Sequence, residues 1–259
     1  MTKLLDGKVA LITGAARGIG EGIARRYAAE GASLLLTDTR EELGEALAAQ
    51  LPDARFLKVD VTSEDEVAAA VDAAVECWGR LDIMVPNAGA VGVMGSIDKI
   101  DAQGWDDTVK LLVDAVFYGV KHAARVMKPA RGGRIIVTSS TSGLAGGIGA
   151  HCYTTSKHAV IGLVRSAARE LAGHGITVNA VAPGVVVSPL AIEGLGGYEG
   201  ACAFSAKESP LGMPILPEEL AGAYVFLASD LAKHVTAQTL AVDGGATMIG
   251  YTMADYTYA

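Results

Sequence analysis

The sequence predicts an α/β domain built on a mainly parallel, doubly wound sheet of seven strands with helices on both faces. Short runs rich in Val, Ile and Leu recur, each followed by a longer stretch with helical spacing of its apolar residues, the pattern of repeated βαβ units. Most of these runs are nearly unbroken hydrophobic segments, as strands covered on both faces require. No internal repeat, low-complexity tract or linker divides the chain, so one domain over residues 1–259 is expected.

The elements follow in order. Residues 8–13 (KVALIT) form the first expected strand and run into a glycine-rich turn, after which 19–30 carry helical spacing. Strand 33–38 ends in an aspartate and leads to helix 41–51; strand 55–60 leads to helix 64–78, which Ser63 and Glu66 can start as a capping box. Strand 82–85 precedes one long helix, 103–127, and strand 134–139 precedes helix 153–172. Strand 177–182, helix 217–228 and strand 239–243 complete the pattern. The stretch at about 189–214, rich in Gly, Ala and Ser, breaks the alternation and reads as a mobile lid over a site.

Composition narrows the function. An apolar fraction of 51% in 259 residues supplies a sizeable core. The formal charge of −8, with scattered basic residues, argues against a nucleic-acid surface or an anionic membrane patch. Residues 1–6 are too short and polar for a signal peptide, and no run of roughly 18 apolar residues offers a membrane span, so a cytoplasmic protein is expected. Cys77, Cys152 and Cys202 are odd in number and far apart, which suits reduced thiols. Neither CxxC nor HxxxH occurs, so no metal site is expected.

Gly14, Gly18 and Gly20 lie between the first strand and the first helix, in Thr13-Gly14-Ala15-Ala16-Arg17-Gly18-Ile19-Gly20. Glycines let the backbone approach a pyrophosphate closely, and the N–H groups of the helix start stabilise its charge. The spacing is GxxxGxG, and the Lys-Ser or Lys-Thr pair of a P-loop is missing. Asp38 ends the next strand, eighteen residues beyond Gly20, where its carboxylate can accept from the adenosine ribose hydroxyls and repel a 2′-phosphate. Arg17 could instead pair with such a phosphate. Asp38 meets the ribose directly, which favours NAD over NADP. Asp60 and Val61 are placed to meet the adenine edge, although an acidic strand end also caps helices.

Ser140 follows the fifth strand, and thirteen residues on comes Tyr153, one helical turn before Lys157. Tyr and Lys at i and i+4 share a helix face. A phenol with pKa near 10 is a poor base at neutral pH, and a nearby ammonium and a positive nicotinamide ring both favour tyrosinate. Together with the glycine turn these residues resemble the short-chain dehydrogenase/reductase family over most of the chain. The matching pieces are TGAARGIG, Asn87-Ala88-Gly89, YTTSK from Tyr153 to Lys157, Asn179-Ala180-Val181-Ala182-Pro183-Gly184 and Val242-Asp243-Gly244-Gly245.

The resemblance implies a Rossmann fold with strand order 3-2-1-4-5-6-7. It implies that Ser140 orients the substrate oxygen, Tyr153 exchanges its proton, and Lys157 binds the nicotinamide ribose while lowering the tyrosine pKa. Ile19, Asn87, Ala88, Gly89, Pro183, Gly184, Val186 and Ser188 are implied to line the cofactor, with Ser188 standing where the family usually has threonine. The family's relay asparagine, in the helix before the fifth strand, falls on Leu112, whose side chain has no donor or acceptor. Activity is expected to persist through a backbone carbonyl if the helix opens there.

Residues 90–94, 144–151 and the lid from 190 onward are expected to wall a mainly apolar pocket without Arg or Lys in the first two groups. A small hydrophobic, cyclic or terpenoid secondary alcohol or its ketone suits such a pocket, with His151 a candidate contact. The alternatives are a ketone or 3-oxoacyl reductase running in reverse, and a cofactor-binding scaffold that has lost catalysis. A homotetramer is implied by resemblance, and the tail 248–259, with Tyr251, Tyr256 and Tyr258, would fit an interface.

Overall fold

The computed structural model describes residues 3–248. Its strands are β1 (Val9–Thr13), β2 (Ser33–Asp38), β3 (Ala54–Lys58), β4 (Ile83–Val85), β5 (Gly133–Thr138), β6 (Ile176–Pro183) and β7 (Thr239–Val242). They form one sheet in the order β3-β2-β1-β4-β5-β6-β7, with every pairing parallel. The helices are α1 (Gly18–Ala29), α2 (Glu41–Gln50), α3 (Glu64–Trp78), α4 (Ala102–Val109), α5 (Ala115–Ala130), α6 (His151–Leu171), α7 (Pro189–Gly194), α8 (Gly197–Glu208) and α9 (Pro217–Ala228).

Alternate strand residues feed two cores. Ala10 and Ile12 of β1 pack with Ile23 and Tyr27 of α1 and with Leu220 and Tyr224 of α9. Val9 and Leu11 face the other way, onto Val67 and Val71 of α3, Val120 of α5 and Val164 of α6. A residue pointing to either side thus leaves water, at about 1.5–3 kcal/mol for each large apolar side chain fully buried. That is why the strands read as unbroken apolar runs. The strand order reverses between β1 and β4, and the crevice this opens at the strands' carboxyl ends is where ligands bind in such sheets.

Four local expectations need correction. The helix expected over 103–127 is interrupted: a π turn, Lys110–Asp114, separates α4 from α5. Strand β3 stops at Lys58 because the Asp60 N–H leaves the ladder for the Glu66 carboxylate at 2.8 Å. That contact also halves the expected capping box, in which Ser63 Oγ accepts from the Glu66 N–H but Glu66 does not return to Ser63. The stretch 189–214 carries two helices, α7 and α8, rather than loop alone. Among the described residues no helix is long and apolar enough to cross a membrane. The tail tyrosines Tyr251, Tyr256 and Tyr258 lie outside the described residues.

Candidate active site

A cleft of about 520 Å³ opens at the β1/β4 crevice. On its β1 side lies the glycine turn. Gly14 and Gly18 have φ of 63° and 62°, and a Cβ on Gly14 would stand 2.7 Å from Ala88 Cα. A Cβ on Gly20 would strike the Gly14 carbonyl at 2.1 Å. Only glycine fits this turn. Arg17, the N-cap of α1, provides no side-chain cap, so the helix's first N–H groups have no such acceptor, in contrast to α3, where Ser63 fills that role. An uncapped helix start under a glycine cradle fits the pyrophosphate of a dinucleotide.

Asp38 is buried at the end of β2, beside the cradle. Its Oδ2 accepts from the Ala16 N–H at 3.1 Å, and its Oδ1 accepts from the N–H and Nη1 of Arg40. With Oδ1 already accepting two bonds, Oδ2 keeps a lone pair for a hydroxyl in the cleft. Arg17 turns away from Asp38 and pairs with Glu193 of α7 at 2.9 Å. Asp60 lines the cleft, but its Oδ1 is engaged by the N–H and hydroxyl of Thr62. Val61 lines the same end, buried.

The floor is a connected polar network. Asn87 Nδ2 donates to the carbonyls of Thr13 and Gly14, and the Thr13 hydroxyl accepts from the N–H groups of Asn87 and Ala88. The Thr138 hydroxyl donates to Asn87 Oδ1 at 3.0 Å and lies 2.8 Å from the Tyr224 hydroxyl. Thr138 has one proton to give, so Tyr224 must be the donor in that second bond. Tyr224 comes from α9, and its own carbonyl accepts from Tyr27 of α1. The network therefore ties the cradle to β5, whose Thr138 carbonyl accepts from Lys157 Nζ at 2.9 Å.

Ser140, Tyr153 and Lys157 meet on the β5/α6 wall. Ser140 Oγ accepts from the Ser142 N–H at 3.1 Å, which leaves its own proton free for another oxygen. Lys157 Nζ stands 5.5 Å from the centroid of the Tyr153 ring. A Cβ on Gly149 would lie 3.3 Å from Tyr153 Cδ1, so the ring packs against bare backbone. Burial lowers the Lys157 ammonium to about 8. Burial pushes the Tyr153 phenol up from its usual value, partly opposed by hydrogen bonding with Ser140. The expectation that Lys157 lowers Tyr153 is thus not met by the protein's own groups, since desolvation dominates.

Gly14, Arg17, Gly18, Ile19, Gly20, Asn87, Ala88, Gly89, Pro183, Gly184, Val186 and Ser188 all line the cleft with the residues above. The expected substrate walls do so only in part. Ala90, Leu190 and Ala191 line the cleft, whereas Met94, Leu144, Ile148 and His151 stand exposed outside its lining. Leu112 is fully buried in the π turn, with Cδ2 3.0 Å from where a Cβ on Gly89 would sit. Thr13, Thr138 and Tyr224 were invisible as site residues, because a hydroxyl on a strand or a helix carries no spacing signal. Among the described residues no three His, Cys, Asp or Glu side chains gather to hold a metal ion.

A doubly wound parallel sheet with a glycine cradle at its switch point and a Ser-Tyr-Lys wall defines a nicotinamide-dinucleotide oxidoreductase. A family model described as Enoyl-(Acyl carrier protein) reductase matches residues 14–247. The chain is 43% identical to momilactone A synthase of Oryza sativa subsp. japonica over 95% of its length and 92% of that protein's. It is 41% identical to (+)-borneol dehydrogenase 2 of Salvia officinalis, over 96% and 92%. The crystal structure of levodione reductase superposes with a TM-score of 0.89 at 31% identity, covering 95% of this chain and all of that one. The chain belongs to the short-chain dehydrogenase/reductase family.

Proposed function

We propose that the chain transfers hydride between a hydrophobic, cyclic or terpenoid secondary alcohol and NAD, giving the ketone. The observation that carries this reading is the convergence of Ser140, Tyr153 and Lys157 on the cleft whose other end holds the buried carboxylate of Asp38. The Ser140 hydroxyl donates to the substrate oxygen, and Tyr153 takes the hydroxyl proton. Bound NAD supplies the hydride acceptor and a positive ring that offsets the desolvation of the phenol. Lys157, fixed by the Thr138 carbonyl, holds the nicotinamide ribose. Asp38 accepts from the adenosine ribose, where a 2′-phosphate would meet a carboxylate.

The π turn supports proton exit without the asparagine. Such a turn replaces the i→i−4 ladder with i→i−5 bonds, is frequent at functional sites, and would leave a backbone carbonyl for the relay water. It forms here although Leu112 supplies no polar side chain. The apolar side chains of Ala90, Leu111, Leu190 and Ala191 line the cleft and suit an apolar substrate, and segments 90–94 and 144–151 contain no Arg or Lys. Borneol, the alcohol in one relative's name, is a bicyclic secondary alcohol, in keeping with this class. Helices α7 and α8 serve as the lid, and a cytoplasmic homotetramer remains our reading of the assembly.

The test is absorbance at the reduced-nicotinamide band with NAD or NADP and a panel of cyclic alcohols. NAD-dependent turnover is expected, with Tyr153→Phe lowering it by about 10²–10⁴-fold. Unchanged turnover in that variant would overturn the mechanism, and preference for NADP would overturn the role of Asp38. Absence of turnover across the panel would favour a scaffold without catalysis.

A further inference from the structure

The opposite pole of the sheet carries a second cavity, of about 530 Å³, at the N-terminal ends of β1, β4, β5 and β6. Lys8, Arg80, Arg131 and Arg134 line it, against two carboxylates, Asp82 and Asp230. Four cations thus gather in one concavity of a chain whose formal charge is −8. The ladder holds three of these residues in a row: the Asp82 N–H donates to the Val9 carbonyl, next to Lys8, and the Arg134 N–H donates to the Asp82 carbonyl.

The two carboxylates do not neutralise the four cations. Asp82 accepts from the Val9 N–H through Oδ2 and from Arg80 through Oδ1. Asp230, which pairs with Arg134 at 3.3 Å, is 84% exposed, so water screens it. Among the described residues, Lys8 and Arg131 have no carboxylate partner, and the buried Nε of Arg134 has no partner at all. Arg131 also adopts a left-handed φ of 53°, a conformation that favours glycine, which stands at the next position. The Arg131 carbonyl lies 2.8 Å from where a Cβ on Gly175 would sit, so close packing fixes that turn at the rim.

We propose that this cavity binds a small phosphate-bearing dianion. Guanidinium forks match phosphate oxygens in pairs, and a concave wall focuses the field of unpaired cations. The cavity accepts either free phosphate or a phosphomonoester, and the phosphate group is the shared determinant. The site lies at the far end of the strands from the glycine cradle, so it does not depend on the activity proposed above.

The test is calorimetric titration, at constant ionic strength, with inorganic phosphate and separately with glycerol 3-phosphate. Saturable binding is expected, weakened about tenfold or more in Lys8→Gln/Arg131→Gln and unchanged in Arg17→Gln at the cradle. Lys8→Gln alone, with thermal melting as the check on folding, repeats the test should the double variant unfold. Tighter binding of the ester identifies an organic ligand, and equal binding identifies the phosphate group alone; both sustain the site. Absence of saturation with either anion would overturn it. So would binding lost in Arg17→Gln but kept in the double variant, which places the anion at the cradle.

Discussion

Beneath the cleft, Thr13, Asn87, Thr138 and Tyr224 satisfy one another through hydrogen bonds that span four separate elements and loops. Above its edge, the segment carrying α7 and α8 is attached differently. Leu190 and Tyr198 are more than half exposed, and the segment meets the cradle through the ion pair of Arg17 with Glu193 and through Pro189, whose Cδ lies 3.1 Å from where a Cβ on Gly18 would sit. Among the described residues, only Ser205, donating to the Val185 carbonyl and accepting from the Ile215 N–H, anchors α8 with buried polar contacts. The floor is fixed by groups that are costly to strand, and the cover by contacts that cost little to release. That difference suits a site which must hold a cofactor rigidly and admit a substrate.

The sharpest way to break the contrast is to strand the floor's partners. Asn87→Leu leaves the Thr13 and Gly14 carbonyls without their donor and the Thr138 hydroxyl without its acceptor. We expect a loss of about 2–4 kcal/mol in unfolding free energy, read from denaturant midpoints. A loss below about 0.5 kcal/mol would mean that solvent replaces these bonds and that the floor is no more rigid than the cover.

A second effect concerns Lys157, held at about 8 by burial. Its folded pKa lies below the unfolded value near 10.4, so between these limits the unfolded chain binds more protons. Stability therefore rises with pH across that window, and below about 8 the full desolvation penalty applies. The melting temperature of the wild type should climb relative to Lys157→Met from pH 8 towards 10.5. A constant difference between the two would show that the ammonium is solvated and that the floor is open to water.

The same contrast explains what was legible in the sequence. Strands buried on both faces write themselves as apolar runs, and Gly14, Gly20, Tyr153 and Lys157 sit at spacings that backbone geometry or one helical turn enforces. The Thr138–Tyr224 bond joins residues 86 positions apart, and no local pattern marks it. The π turn hides because Lys110–Asp114 keeps the composition of a helix. Helices α7 and α8 leave no mark in the sequence because Gly, Ala and Ser dominate the segment and its apolar residues stay partly exposed, which erases the periodicity a buried face would leave.

The gentlest perturbation is Glu193→Gln on the cover. Glu193 is 65% exposed and Arg17 34%, so the ion pair stands in water, where such contacts contribute about 0–1 kcal/mol. Unfolding free energy should therefore change by less than about 1 kcal/mol. Release of Arg17 next to the cradle adds a free cation where a pyrophosphate would bind. KM for the dinucleotide should fall by at most about fivefold, and the gain should fade at roughly 1 M salt, where the screening length is about 3 Å. A destabilisation above about 2 kcal/mol would mean that the cover is held as tightly as the floor, because an exposed pair alone cannot account for so large a loss.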